Sequence, residues 1–128
     1  MARTLRALVA DDDVDDRTEI CKVLVRCGFD VDETDNGRRA IELIRETDYA
    51  MIVLDILMPQ VDGFEVLKHL KTRDPEVLAR TVVVSRLNLS DMKVFFPYCQ
   101  LLEKPLDVKE LETIARIVRN SANPPPEN

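Results

Sequence analysis

Two stretches decide the fold: Ala50-Met51-Ile52-Val53-Leu54-Asp55 and the turn that follows it, Met58-Pro59-Gln60-Val61-Asp62-Gly63. Met51 to Leu54 are apolar without interruption, the pattern of a strand buried on both faces of a parallel sheet. Such a run ends on a carboxylate only where it reaches the rim of the sheet. In open α/β sheets the rim at the carboxyl ends of the strands is where ligands bind. Asp55 is therefore the first candidate functional residue. Read alone it is equally an ordinary strand-ending Asp that starts a turn, so its weight depends on what else reaches the same rim.

Downstream, Asp62 is placed to cap a helix carrying Phe64, Val66, Leu67 and Leu70, which Pro75 closes. Thr81-Val82-Val83-Val84-Ser85 is a second buried strand ending on a polar residue. Asn88 or Ser90 caps a short helix through Asp91–Phe96, which Pro97 stops. Leu101-Leu102-Glu103 forms a short strand leading to Lys104-Pro105. Val108, Leu111, Ile114, Ala115 and Val118 share one face of a last helix. Upstream, Leu5–Ala10 is a strand that stops at Asp11-Asp12-Asp13. Ile20, Val23, Leu24 and Cys27 follow at helical spacing, and Gly28 stands in the usual C-terminal position. Phe29–Thr34 is a more polar strand suited to a sheet edge. The turn Asp35-Asn36-Gly37 leads to a helix with Ala40, Ile41 and Ile44 inward. Strand and helix alternate five times, and the connections are too long for hairpins, so a mostly parallel sheet with helices on both faces is expected.

The 128 residues suit one domain. Residues 1–120 read as that domain and residues 121–128, with Pro124-Pro125-Pro126, as a tail or linker stub. A net charge of −6 argues against nonspecific attraction to nucleic acid or anionic membrane. No apolar run approaches a membrane span, and Met1-Ala2-Arg3-Thr4 leads into a strand without a signal-peptide layout. Cys21, Cys27 and Cys99 lack metal-ligand spacing and read as reduced thiols, with Cys27 packing; a cytoplasmic location is expected.

Parallel strands bring Asp11, Asp12, Asp55, Ser85 and Lys104 to one rim. Three neighbouring carboxylates are hard to keep ionised together, and a hard divalent cation such as Mg²⁺ relieves them through oxygen ligands. The set makes chemical sense if a phosphoryl group is brought to a carboxylate. The metal and Lys104 neutralise its oxygens, the Ser85 hydroxyl donates to another, and Asp55 attacks phosphorus. Individually each residue has an ordinary reading: Asp11 to Asp16 a solvated helix start, Ser85 a turn residue, Lys104 a surface cation. It is their joint order that points to chemistry.

These residues resemble a receiver (CheY-like) domain of two-component response regulators, over about Leu5 to Arg119. The resemblance is carried by Val9-Ala10-Asp11-Asp12-Asp13, by Leu54-Asp55-Ile56-Leu57-Met58-Pro59 with Asp62-Gly63, by strand-ending Ser85 and by Lys104-Pro105. It implies a flavodoxin-like, doubly wound (βα)5 fold with a five-stranded parallel sheet in the order 2-1-3-4-5. It also implies Asp55 as phosphoacceptor from a histidine kinase or histidine phosphotransfer protein. Mg²⁺ (or Mn²⁺) would be held by Asp11, Asp12, Asp55 and the Leu57 backbone carbonyl. Lys104 would contact the phosphoryl group beside a cis Lys104-Pro105 bond, and Ser85 would act as switch hydroxyl. Phosphorylation then shifts a two-state equilibrium at the face made by the fourth helix, fifth strand and fifth helix, toward a downstream partner or output domain. A homodimer through that face is allowed. The implied chemistry stops at self-phosphorylation and autodephosphorylation.

Three features depart from the pattern. Arg86 stands where the family usually has a small residue; it either crowds the pocket mouth or reaches the carboxylates and slows phosphoryl exchange. The segment from Ser85 to Lys104 is short and lacks the common Gly-Ala turn, so its helix is expected to be short or irregular. Leu101 replaces a frequent aromatic switch residue. Leu57, Arg86 and Leu101 are thus candidate modulators. Phe95, Phe96 and Tyr98 read as core, with a partner-binding patch as the alternative. A phosphorylation-independent interaction module is the competing function. A phosphohydrolase of the haloacid-dehalogenase type would need a general acid where Leu57 stands, and Leu57 cannot transfer a proton. The only histidine, His69, reads as a surface residue of the third helix.

Overall fold

The computed structural model describes residues 4–87 and 97–122. Its strands are β1 (Leu5–Ala10), β2 (Phe29–Thr34), β3 (Met51–Asp55), β4 (Thr81–Ser85) and β5 (Gln100–Glu103). They form one parallel sheet in the order β2-β1-β3-β4-β5. The helices are α1 (Val14–Arg26), α2 (Gly37–Glu46), α3 (Gly63–Arg73) and the last helix, labelled α4 (Val108–Ala122). This is the flavodoxin-like architecture expected from the sequence. The short helix expected over 91–96, with its caps Asn88 and Ser90, lies outside the described residues, as do Phe95 and Phe96.

Side-chain alternation along the central strands builds two cores. Leu8, Ala10, Ile52, Leu54 and Val83 face α2 and α3, meeting Ala40, Ile44, Val66, Leu67 and Leu70. Ala7, Val9, Met51, Val53, Val82 and Val84 face α1 and α4, meeting Ile20, Leu24, Leu111, Ala115 and Val118. Every residue of β3 is buried, as its unbroken apolar run requires. Cys27 packs in the second core. Gly28 follows the α1 C-cap at φ 96°, a left-handed position that glycine takes without a Cβ penalty.

Two local expectations, those for Tyr98 and His69, are corrected, and two boundaries are refined. Pro75 does not simply close a segment: α3 ends at Arg73, and Pro75 opens a 3-10 helix, Pro75–Arg80, whose Val77 and Leu78 are buried. Proline suits this place because a helix's first turn needs no N–H there. Tyr98 is not core; it is 73% exposed. His69 is half-buried rather than superficial, and among the described residues its Nε2 has no hydrogen-bond partner. At the other end of the chain, α4 continues through Ser121 and Ala122, two residues into the segment read as tail.

β2 lies at the sheet edge, as its polarity suggests. Asp32 on this strand accepts from Tyr49 Oη at 2.7 Å and pairs with Arg6 at 2.6 Å. Burial opposes the ionised Asp32, but the bonds from Arg6 and Tyr49 outweigh it and hold the carboxyl below its ordinary range. Tyr49→Phe is expected to cost about 1 kcal/mol, the size of a hydrogen bond to a partly exposed charged group. A carboxyl held low contributes stability that is present above its unfolded range and lost as pH falls through its folded value. The cost of Tyr49→Phe should therefore shrink in acid. Urea denaturation at neutral and acid pH checks both; an equal cost at both would sink the linkage.

Candidate functional site

Register explains how the polar strand ends meet. Ala10 is level with Leu54, which sets Asp11 beside Asp55. Asp55 is level with Val84 and Ser85 with Glu103, so Ser85 and Lys104 arrive one step along the same rim. The Ser85 carbonyl accepts from Lys104 N–H at 2.8 Å, fixing where the lysine leaves β5, and Lys104-Pro105 is cis. The turn after β3 is held from both sides: Gly63 N–H donates to Ile56 O at 2.9 Å, and Asp62 caps α3 by accepting from Glu65 N–H at 3.1 Å. Gln60 in this turn is left-handed at φ 67°.

Asp11, Asp12 and Asp55 each bring a carboxylate oxygen within 4.8 Å of the others. Asp11 and Asp55 are buried and Asp12 is exposed. The Lys104 ammonium, itself buried, stands 2.8 Å from Asp11 Oδ2, 2.9 Å from Asp16 Oδ2 and 3.3 Å from Asp55 Oδ2. Asp55 Oδ1 accepts from Leu57 N–H at 3.2 Å, and Asp11 Oδ1 from Asp13 N–H at 3.0 Å. Asp12, Asp13, Asp55, Leu57, Arg86 and Lys104 line a cleft of about 340 Å³. A larger hollow at the opposite rim, near Arg6, Tyr49 and Arg80, is remote from these residues.

The electrostatics follow from this crowding. Burial and the charge of Asp11 push the Asp55 carboxyl up to about 6, against the pull of Lys104 and the Leu57 N–H. Burial opposes the Lys104 charge, but bonds to Asp11 and Asp16 overcome it and raise its pKa well above the ordinary lysine range. The donor set is three carboxylates of hard oxygen chemistry, which fits Mg²⁺ or Mn²⁺ better than a thiophilic metal.

Not every sequence-predicted residue faces the cleft in the same way. Asp11, Asp12, Asp55, Leu57 and Lys104 gather. Ser85 is buried beside them, with its Oγ accepting from Leu87 N–H at 3.0 Å. Arg86 reaches a carboxylate, but it is Asp16 Oδ2, at 3.3 Å. Leu101 is half-buried and packs on the α2–α3 side of the sheet. Asp16 is the residue that sequence reasoning missed. It belongs to the acidic start of α1, where Asp13 is the N-cap and accepts from the N–H groups of Asp15 and Asp16. Its only signal was the density of acids there.

An open doubly wound sheet with an acidic trio and a lysine at the carboxyl rim is the arrangement expected of a receiver domain. The chain belongs to the response regulator receiver domain family, whose model matches residues 7–116. It is 36% identical over 72 residues to the response regulator receiver protein CpdR of Brucella abortus, covering 56% of this chain and 60% of CpdR. It is 34% identical over 90 residues to the chemotaxis protein CheY of Bacillus subtilis, covering 70% of this chain and 73% of CheY. With the transcriptional regulator NtrC of Azospirillum brasilense it shares 28% identity over 92% of this chain but only 25% of NtrC. It thus spans less than two thirds of CpdR and of NtrC. Among solved structures, the receiver domain of Francisella response regulator 1452 superposes with a TM-score of 0.81 at 27% identity, over 94% of this chain and 100% of that one. Among the described residues no helix is long and apolar enough to cross a membrane.

Proposed function

We propose that this chain is a phosphoacceptor switch in a two-component phosphorelay. Asp55 accepts a phosphoryl group from a histidine kinase or histidine phosphotransfer protein, and the change is read by a downstream protein or output domain. The observation that carries this reading is one buried ammonium, Lys104, shared between Asp11 and Asp55 at 2.8 and 3.3 Å, with Asp12 in the same cluster. In the transfer, an Asp55 carboxylate oxygen forms a bond to phosphorus as the bond from phosphorus to the donor's imidazole nitrogen breaks. The electron pair leaves with the donor, and an acyl phosphate results. Asp11, Asp12, Asp55 and the Leu57 carbonyl would hold Mg²⁺ or Mn²⁺, which supplies positive charge for the phosphoryl oxygens when bound. Lys104 donates to a second oxygen. Ser85 gives up its contact with Leu87 N–H to donate to a third, and that movement carries the signal to β5, α4 and the segment between β4 and β5. The switch extends to the end of α4 at Ala122, two residues past the boundary at 120 expected from the sequence. The chain turns over only its own phosphoryl group, in the cytoplasm, and binds neither nucleic acid nor membrane itself; a homodimer is a further expected partner state.

Intact mass after incubation with Mg²⁺ and acetyl phosphate tests this. One added phosphoryl group is expected, absent in Asp55→Asn and absent without divalent metal. Addition that survives Asp55→Asn would place the acceptor elsewhere. The Arg86–Asp16 pair at the cleft mouth favours the alternative, an interaction module that works without phosphorylation. For that module neither acetyl phosphate nor beryllofluoride should act, and partner binding should be unchanged in Asp55→Asn.

A further inference from the structure

We infer that Asp16 is a latch on Lys104, a positioning residue that holds the lysine away from an incoming phosphoryl group until it is displaced. The inference rests on the phosphoacceptor reading above and adds a competitor to it. An ammonium has three N–H donors, and three carboxylates lie within 3.3 Å of Lys104: Asp11, Asp16 and Asp55. Lys104 donates hydrogen bonds to Asp11 and Asp55 while Asp16 Oδ2 stands 2.9 Å from the same ammonium, so an incoming phosphoryl oxygen has to compete with these carboxylates for it. Asp11 is fully buried and makes the shortest of the three contacts with Lys104, so it is the hardest to release, and Asp55 carries the phosphoryl group itself. Asp16 is the contact that can be given up. Its side chain is 29% exposed, so water can take over part of its solvation.

Asp16 also has a second cation in place. The oxygen that receives Lys104 at 2.9 Å, Oδ2, receives Arg86 at 3.3 Å. One oxygen shared by two cations holds each less firmly, and Arg86 remains on it when Lys104 departs. Sequence reading makes Arg86 the brake on phosphoryl exchange. The geometry instead gives the brake to Asp16 and makes Arg86 the group that loosens it. Asp15, one residue earlier on the same first turn, is exposed. It supplies a control for charge alone.

Beryllofluoride affinity in the presence of Mg²⁺, measured by ¹⁹F NMR on the full chain, tests the latch without any phosphoryl transfer. Asp16→Asn and Asp16→Ser, each checked for folding by thermal melt, should bind about tenfold tighter than wild type, and Asp15→Asn within about twofold of it. Arg86→Ala should bind several-fold weaker, and Asp16→Asn/Arg86→Ala should match Asp16→Asn. Equal or weaker binding by both Asp16 variants, while wild type binds, would overturn the latch and leave the phosphoacceptor reading standing. Equal tightening by Asp15→Asn would reduce the effect to general charge and also overturn it. Tighter binding by Arg86→Ala would return the brake to Arg86. No binding by wild type or any variant would overturn the phosphoacceptor reading, and the latch with it.

Discussion

Gly37→Ala is expected to destabilise the protein by about 3 kcal/mol, the upper end of the usual overpacking cost. A Cβ at position 37 would overlap the Val61 carbonyl oxygen and stand 2.7 Å from the Val61 carbonyl carbon. Both are backbone atoms of the turn after β3, so no rotamer change relieves the clash. Gly63→Ala belongs to the same class, with a Cβ 2.6 Å from Asp55 O and 2.7 Å from Ile56 Cα. At Gly28 the nearest obstacle is Arg119 Nε, the far end of a flexible side chain, and the cost there comes from φ 96° instead. That cost is about 1 kcal/mol. Urea denaturation midpoints should therefore rank Gly37→Ala below Gly28→Ala. A Gly37→Ala protein within about 1 kcal/mol of wild type would show that the α2 start and the Asp55 turn can separate cheaply.

Asp55→Asn should do the opposite and stabilise the metal-free protein. Folding raises the Asp55 carboxyl from 3.8 to about 6, through burial first and the charge of Asp11 second. A raised carboxyl holds its proton more tightly in the folded chain, so the stability it contributes is present in acid and lost as pH rises through about 6. Above that value the ionised group is a standing cost. Every tenfold gain in proton affinity on folding corresponds to about 1.4 kcal/mol. Discounted for the cleft's access to water and for coupling to Asp11 and Lys104, the cost is about 1–2 kcal/mol. In a chelator-treated sample at pH 7.5, Asp55→Asn should be more stable than wild type by about that amount. The advantage should fade between about pH 6 and pH 4. A variant no more stable than wild type at pH 7.5 would mean that Lys104 already balances the cluster.

How much of this was legible in the sequence depends on the range of the physics involved. The strands of the sheet were readable because burial on two faces leaves an unbroken apolar run, as in Met51–Leu54 and Val82–Val84. The Asp62 cap was readable because it acts within three residues of itself, whereas Asp13, the N-cap of α1, was read only as part of the acidic run. Asp11, Asp12, Asp55 and Lys104 were readable as a group because parallel strands all end at one rim. Asp16 was not. Its contacts, Arg86 and Lys104, come from the residues just past β4 and β5, and only the three-dimensional register decides that the first turn of α1 overhangs Lys104. Tyr98 misled because an aromatic residue after a hydrophobic stretch reads as core, whereas it sits in a turn before β5 and points to solvent. The 3-10 helix over Pro75–Arg80 was missed because proline signals a helix end and a helix start with the same residue.

The polar edge strand has a consequence for self-association. Among the described residues β2 pairs only with β1, and along it Asp30 and Glu33 are exposed, with Asp32 tied to Arg6. At the opposite margin, among the described residues, β5 pairs only with β4 and exposes Gln100 and Glu103. Two copies joined β2 to β2, or β2 to β5, would set carboxylates against carboxylates, which blunts strand-to-strand growth. Charge in this sense guards the β2 margin, and Glu103 adds one carboxylate at the β5 margin.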